Sequence, residues 1–198
     1  MVAFEIVTSR VNGFVINMKA EKMEKKVEIP QGVTVKYENN LLSVKGKLGE
    51  NQKKLFKNTV KISVEDGFVT LTSSNATKRE KMFQGTFESV IKSMIKGVSE
   101  GFEYKLKVCS SHFPMTVTAK DNTLSLKNYL GEKIARTVKV PSSVQLKVSG
   151  DIIEVSGIDK AIVGAAAGKI EALTRTTDKD KRRFQDGIYI IEKPGKQV

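Results

Sequence analysis

Two stretches of this chain, 82 residues apart, repeat one another. Asn39-Asn40-Leu41-Leu42-Ser43-Val44-Lys45 matches Asp121-Asn122-Thr123-Leu124-Ser125-Leu126-Lys127, and each runs on into Leu-Gly-Glu, at Leu48-Gly49-Glu50 and at Leu130-Gly131-Glu132. Internal repetition constrains a fold more than any single motif, because each copy has to bury its own apolar face. The downstream stretches Val64-Glu65-Asp66-Gly67-Phe68-Val69-Thr70-Leu71 and Val148-Ser149-Gly150-Asp151-Ile152-Ile153-Glu154-Val155 are alike too. In both, alternating strands flank a turn made of Asp and Gly, which is a hairpin signal.

Each copy then changes period. Thr77-Lys78-Arg79-Glu80 has the form of a capping box. Phe83, Phe87, Ile91, Met94 and Ile95 follow at helical spacing, and Gly97 is placed where such a helix would stop. In the second copy Asp159 is the N-cap candidate, and Val163, Ala166, Ala167, Ile170 and Leu173 form the stripe. Both stripes read as core packing. Strands followed by a helix, twice over, predict an α+β fold of two tandem copies, each a mostly antiparallel sheet covered by one helix.

The expected strands of the first copy cover 27–29, 33–37, 41–45, 60–64 and 68–72. Those of the second cover 104–109, 115–119, 123–127, 137–140, 144–148 and 152–156, with a further strand after the turn near Gly187. The predicted boundaries are 27–98 for the first repeat and 99–198 for the second, joined near Gly97 and Gly101. Residues 1–26 match nothing in the second copy. They are expected to be a loose extension or a misplaced start, with Met18 and Met23 as alternative initiators.

Charge narrows the function. Lys and Arg number 34 against 22 acids, a formal net charge of +12 in 198 residues. A field of that sign and size favours polyanions, nucleic acid first. No run approaches the roughly 20 apolar residues of a membrane span, and no membrane partner is expected. One cysteine, Cys109, excludes an intrachain disulfide.

Catalytic signals are thin. The chain has one histidine, His112, in Ser110-Ser111-His112-Phe113-Pro114. Sequence neighbours rarely meet with the geometry of proton transfer, so His112 reads as a structural hydrogen-bonder or an RNA contact. One His and one Cys cannot fill a typical zinc shell, and no phosphate-cradling glycine motif is present. Neither metal nor cofactor is expected.

The basic segments carry more. Lys53-Lys54 and the lysines among 22–26 read as solvated faces. The stretch Arg175-Thr176-Thr177-Asp178-Lys179-Asp180-Lys181-Arg182-Arg183 differs, because it has no apolar residue and leaves the end of the second helix. It runs directly into Phe184-Gln185-Asp186-Gly187-Ile188-Tyr189-Ile190-Ile191, a turn plus a strand. A basic loop held at both ends by ordered structure presents Arg175, Lys179, Lys181, Arg182 and Arg183 to phosphates, with Phe184 and Tyr189 available for stacking.

The segments Met94-Ile95-Lys96-Gly97-Val98, Gly101-Phe102-Glu103-Tyr104-Lys105, His112-Phe113-Pro114, Asn128-Tyr129-Leu130-Gly131-Glu132-Lys133 and Phe184-Gln185-Asp186-Gly187-Ile188-Tyr189 form an ordered set. In order and spacing this set resembles the universal ribosomal protein numbered six in the bacterial large subunit, in its archaeal and eukaryotic branch. The resemblance covers about 27–193 and leaves residues 1–26 outside it. It implies a duplicated α+β fold and a non-enzymatic constituent of the large subunit. It further implies that the second domain makes the main contacts to large-subunit rRNA, near the sarcin–ricin loop and the factor-binding region. The positions it carries over are the basic loop with Phe184, Gln185, Asp186, Gly187 and Tyr189, and then Gly131, Glu132, Lys133 and Arg136.

Two departures from the family pattern stand out. The turn Val44-Lys45-Gly46-Lys47-Leu48-Gly49 lacks the family's proline, and Ser110-Ser111 occupies a place where a tyrosine is common. The expected setting is the cytoplasmic ribosome, as a monomer beside neighbouring ribosomal proteins. The rival readings are a free RNA-binding regulator on the same fold and a small hydrolase using His112 with Ser110 or Ser111.

Overall fold

The computed structural model of the chain describes residues 20–65, 67–177, 179–180 and 182–197. The chain divides into two compact units between Ser99 and Glu100. The first contains β1 (Ala20–Glu28), β2 (Thr34–Glu38), β3 (Leu41–Gly46), β4 (Gly49–Lys54), β5 (Lys61–Glu65), β6 (Phe68–Ala76) and α1 (Lys78–Ser99). Its strands form two antiparallel sheets, ordered β1-β6-β5 and β2-β3-β4.

The second unit contains β7 (Phe102–Cys109), β8 (Thr116–Lys120), β9 (Thr123–Lys127), β10 (Arg136–Lys139), β11 (Val144–Ser149), β12 (Ile152–Gly157), α2 (Lys160–Leu173), β13 (Gly187–Lys193) and β14 (Lys196–Gln197). Here a three-stranded sheet, β10-β9-β8, accompanies a five-stranded one, β11-β12-β7-β13-β14, again antiparallel throughout. The tandem α+β architecture expected from the repeat is the one observed.

The repeated Asn/Asp-Asn pairs explain themselves. Asn39 and Asn40 have φ of 50° and 64°, and Asp121 and Asn122 have φ of 44° and 59°. Two successive left-handed residues make the tight turn whose twist matches a hairpin, and Asn and Asp are the non-glycine residues that tolerate it best. These turns set the register of β2 on β3 and of β8 on β9. That register turns Leu42 and Val44, and likewise Leu124 and Leu126, into the core, where all four are fully buried.

Both helix starts form as the capping pattern predicts. The Thr77 backbone N–H donates to Glu80 Oε2 (3.1 Å), and the Ala161 N–H donates to Asp159 Oδ1 (2.8 Å). Phe87, Ile91, Met94 and Ile95 of α1 are buried, as are Val163, Ala166, Ala167 and Ile170 of α2. Each large apolar side chain so buried contributes about 1.5–3 kcal/mol. Phe83 is only half-buried, with the Lys57 ammonium 4.5 Å from its ring centre.

The structure departs from expectation in three places. α1 runs past Gly97 to Ser99, and the left-handed residue beyond its end is Gly101, at φ 80°. β4 was not among the expected strands. Its sequence, Gly-Glu-Asn-Gln-Lys-Lys, is polar throughout, and the strand forms because β3 offers it a partner from Leu41↔Lys54 to Gly46↔Gly49. The turn lacking proline therefore still closes a hairpin. Gly46 is required there, because a Cβ would lie 2.8 Å from Val98 Cγ2 and 2.9 Å from its carbonyl oxygen. Finally, the strand expected over 27–29 begins at Ala20 and pairs along β6. Gln84, fully buried on α1, donates to the Met23 carbonyl (3.0 Å), and Lys25 reaches Glu88 (2.5 Å). Residues 20–26, read as part of a loose leader, are thus integral to the first unit. The leader's residues 1–19 lie outside the described residues.

Candidate nucleic-acid interface

Three loops of the second unit converge: the one after β7, the one between β9 and β10, and the one between α2 and β13. The first and the third of them meet at Asp186. Gly187 pairs with Cys109 on the last rung between β13 and β7, so the next residues outward, Asp186 and Ser110-Ser111-His112, face each other. The Asp186 carboxylate is 2% exposed and accepts four hydrogen bonds. They come from the Ser111 N–H (2.5 Å), the His112 N–H (3.0 Å), the Ser111 hydroxyl (3.1 Å) and His112 Nδ1 (2.6 Å). Burial raises the pKa of this carboxyl. The bonds from His112 and Ser111 outweigh burial and hold it well below the usual carboxylate range.

A stack stands on this anchor. The His112 and Phe184 rings lie 5.0 Å apart at 29°, and the Lys179 ammonium sits 4.9 Å from the Phe184 ring centre. Asp180 shapes the turn below. Its carboxylate accepts from the Arg182 N–H (2.9 Å), and its carbonyl accepts from the N–H groups of Arg183 (3.1 Å) and Phe184 (2.9 Å). Those bonds leave the side chains of Arg182 and Arg183 exposed, together with Lys179, Gln185 and Arg175. Lys181, expected among the RNA contacts, lies outside the described residues.

The neighbouring loop is braced from within. Tyr129, 1% exposed, donates to the Thr174 carbonyl (2.7 Å) just beyond α2. Arg136 Nη1 donates to the Leu173 carbonyl (2.7 Å), and its guanidinium lies 4.4 Å from the Tyr129 ring centre. The same guanidinium grips Glu132 at 2.8 and 2.5 Å, which lowers the pKa of Glu132. Tyr129 and Arg136 therefore satisfy carbonyls at the C-terminal end of α2, which a helix leaves without partners. Thr174 accepts from the Ile188 N–H (2.9 Å) and ties that end to β13. Phe113, exposed, lies where a Cβ on Gly131 (φ 80°) would come within 3.7 Å of its ring. Gly187 likewise leaves room for the Tyr189 ring, since a Cβ there would fall 3.2 Å from it. Tyr189 keeps 42% of its surface exposed.

The structure thus sorts the expected contact residues. It gathers His112, Lys179, Arg182, Arg183, Phe184 and Gln185 around one turn. Asp186 has a different role from the expected contact: its carboxylate is filled by its own chain and acts as the anchor. Arg136 is committed to Glu132 and the end of α2. Lys133 is exposed on the adjacent loop. Sequence reading did not find Tyr129 and Thr174 as braces, because their partners are backbone carbonyls and amides that carry no signature in side-chain pattern.

The hydrolase reading through Ser111 fails on geometry. Ser111 Oγ (3.0 Å) and Asp186 Oδ2 (2.6 Å) both meet the same ring nitrogen, Nδ1 of His112. A proton relay needs the acid on one ring nitrogen and the nucleophile on the other. Among the described residues no cluster of His, Cys, Asp and Glu could hold a metal ion. No helix among them is long and apolar enough to cross a membrane.

Comparison with known proteins gives matches along both units. The family model described as ribosomal protein L6 matches residues 7–101 and 113–187, one segment on each unit. It begins at residue 7, so most of the leader belongs to the family pattern, contrary to the reading that set 1–26 outside it. The chain is 43% identical to the large ribosomal subunit protein uL6 of Methanococcus vannielii over 177 residues, covering 89% of this chain and 97% of that one. It is 40% identical to the uL6 of Methanosarcina mazei over 173 residues, covering 87% and 98%. The chain belongs to the ribosomal protein L6 family.

Proposed function

We propose that this ribosomal protein is a structural constituent of the large subunit of the cytoplasmic ribosome and grips large-subunit rRNA mainly through its second unit. The observation that carries the reading is the 179–184 turn. Exposed Lys179, Arg182 and Arg183 and a half-buried Phe184 are mounted on a hydrogen-bonded anchor, Asp186, that fixes the turn against β7. Cations on a rigid support meet phosphates without first being ordered, which lowers the entropic cost of binding. His112 and Phe184 offer a stacked aromatic edge to an unpaired base, and Tyr189 offers a second ring. The family resemblance supports a site near the sarcin–ricin loop and the factor-binding region, beside neighbouring ribosomal proteins.

Footprinting of large-subunit rRNA with the wild-type chain and with Arg182→Ala/Arg183→Ala tests the reading. One compact protected region that weakens in the variant is expected. Equal protection by both proteins would contradict it.

A further inference from the structure

The outer face of the β8-β9-β10 sheet has a composition its own duplicate lacks. Register places Thr116, Thr118 and Lys120 of β8, Thr123, Ser125 and Lys127 of β9, and Thr137 and Lys139 of β10 on one side. The opposite side holds the buried Leu124 and Leu126. On the outer side Thr116, Thr118, Lys120, Lys127, Thr137 and Lys139 are exposed. The face therefore presents three lysines, five hydroxyls and no acid. The nearest acid in sequence is Asp121, in the turn beyond the last rung. Among the described residues no ion pair involves Lys120, Lys127 or Lys139.

The first unit supplies an internal comparison. The same outer face of β2-β3-β4 carries Thr34, Lys36, Glu38, Leu41, Ser43, Lys45, Glu50, Gln52 and Lys54. Three lysines are offset there by two glutamates, and Lys45 stands directly opposite Glu50. That is an ordinary solvated face. The scaffold is shared, so it does not explain why the second copy has lysines without acids and hydroxyls in every other position.

We infer that the outer face of β8-β9-β10 is a second RNA-binding surface, taking the backbone of an A-form duplex across its shallow groove. The inference extends the proposed rRNA grip to a separate patch. Lys120 and Lys139 flank Thr123 on either side, two strand spacings or ~10 Å apart, and Lys127 lies four residues, ~13 Å, along β9. The lysines thus border the patch while hydroxyls fill its middle. Duplex RNA presents 2′-hydroxyls in a wide, shallow groove bordered by two phosphate rows, and proteins read it by shape and by 2′-OH and phosphate contacts. Threonine and serine hydroxyls both donate and accept, as a 2′-hydroxyl requires. An acidic protein would satisfy the lysines but leaves the hydroxyl array without a reason.

The test uses the full chain and an RNA duplex of mixed sequence, with the matching DNA duplex and polyglutamate as comparison probes. Lys120→Gln/Lys127→Gln/Lys139→Gln is expected to reduce the log–log salt slope for the RNA duplex by about 2–3, at about 0.7–0.9 for each phosphate that a lysine no longer neutralises. Lys36→Gln/Lys45→Gln/Lys54→Gln, on the first unit's face, should keep the wild-type slope. Thr118→Val/Thr137→Val preserves the β-branched shape and should keep the slope while erasing the preference for RNA over DNA. A wild-type slope in the β8-β9-β10 lysine variant overturns the inference, as does loss of polyglutamate binding alone, which would indicate an acidic protein partner. An unchanged RNA preference in the threonine variant overturns the groove assignment. Arg182→Ala/Arg183→Ala, measured alongside, separates the two surfaces. A reduced slope there with none in the lysine variant leaves the 179–184 turn standing and removes this second surface.

Discussion

Asp186 is the residue on which the candidate interface turns, because a buried carboxylate that accepts four bonds from one loop leaves that loop a single position. Asp186→Ala strands the amides of Ser111 and His112 and should cost about 1–3 kcal/mol in urea unfolding. A wild-type midpoint and slope would mean that water replaces the carboxylate at no cost. Protonation should act in the same direction. Bonding holds the folded-state pKa below the unfolded value, so the contribution is fully present above about pH 5. It fades as pH falls below the unfolded carboxyl's ~3.9 towards the depressed folded value. Asp186→Asn should therefore show a shallower acid limb than wild type in stability measured against pH. Sequence reading placed Asp186 among the contact residues, since a Phe-Gln-Asp-Gly segment after a basic run does not reveal that Ser111, 75 positions away, fills the carboxylate.

At the scale of elements, legibility followed burial. Both helices stood out because their apolar stripes face the cores and their caps are local, Thr77 with Glu80 and Asp159 with Ala161. The β5–β6 and β11–β12 hairpins stood out because Asp and Gly mark a turn between alternating strands, and Gly67 and Gly150 there are left-handed. β4 was invisible, because a polar edge strand is specified by its neighbour and not by its own period. The end of α1 was misplaced because Gly97 is buried within the helix, while the left-handed glycine stands at 101. The brace at the end of α2 also lies beyond pattern, since it joins Tyr129 to a carbonyl 45 residues on. Tyr129→Phe keeps the ring beside Arg136 and removes only that bond. It should destabilise the chain by about 1–3 kcal/mol and speed amide exchange in 174–177. Unchanged exchange there would mean that Arg136 and Thr174 hold the end of α2 without the tyrosine.

Across the whole molecule, one scaffold appears twice with two different surfaces. The repeated core positions, Leu42 and Val44 against Leu124 and Leu126, are buried alike. The differences lie outside the cores. The second unit adds β13 and β14 to its larger sheet, suspends a basic turn between α2 and β13, and keeps lysines without acids on its smaller sheet. Duplication supplies the stable frame, and divergence of exposed side chains gathers the second copy's cations on one turn and one sheet face. The net charge of +12 announced a polyanionic partner. Where that charge is organised became visible only once the strands were in register.

The central claim is that the 179–184 turn meets RNA phosphates from a fixed position. The most direct measurement is the salt dependence of binding to large-subunit rRNA by the wild-type chain and by Arg182→Ala/Arg183→Ala. The log–log slope should fall by about 0.7–0.9 for each arginine that meets a phosphate, with weaker binding at every salt concentration. Identical slopes for the two proteins would show that these arginines face solvent in the complex, and would contradict the account.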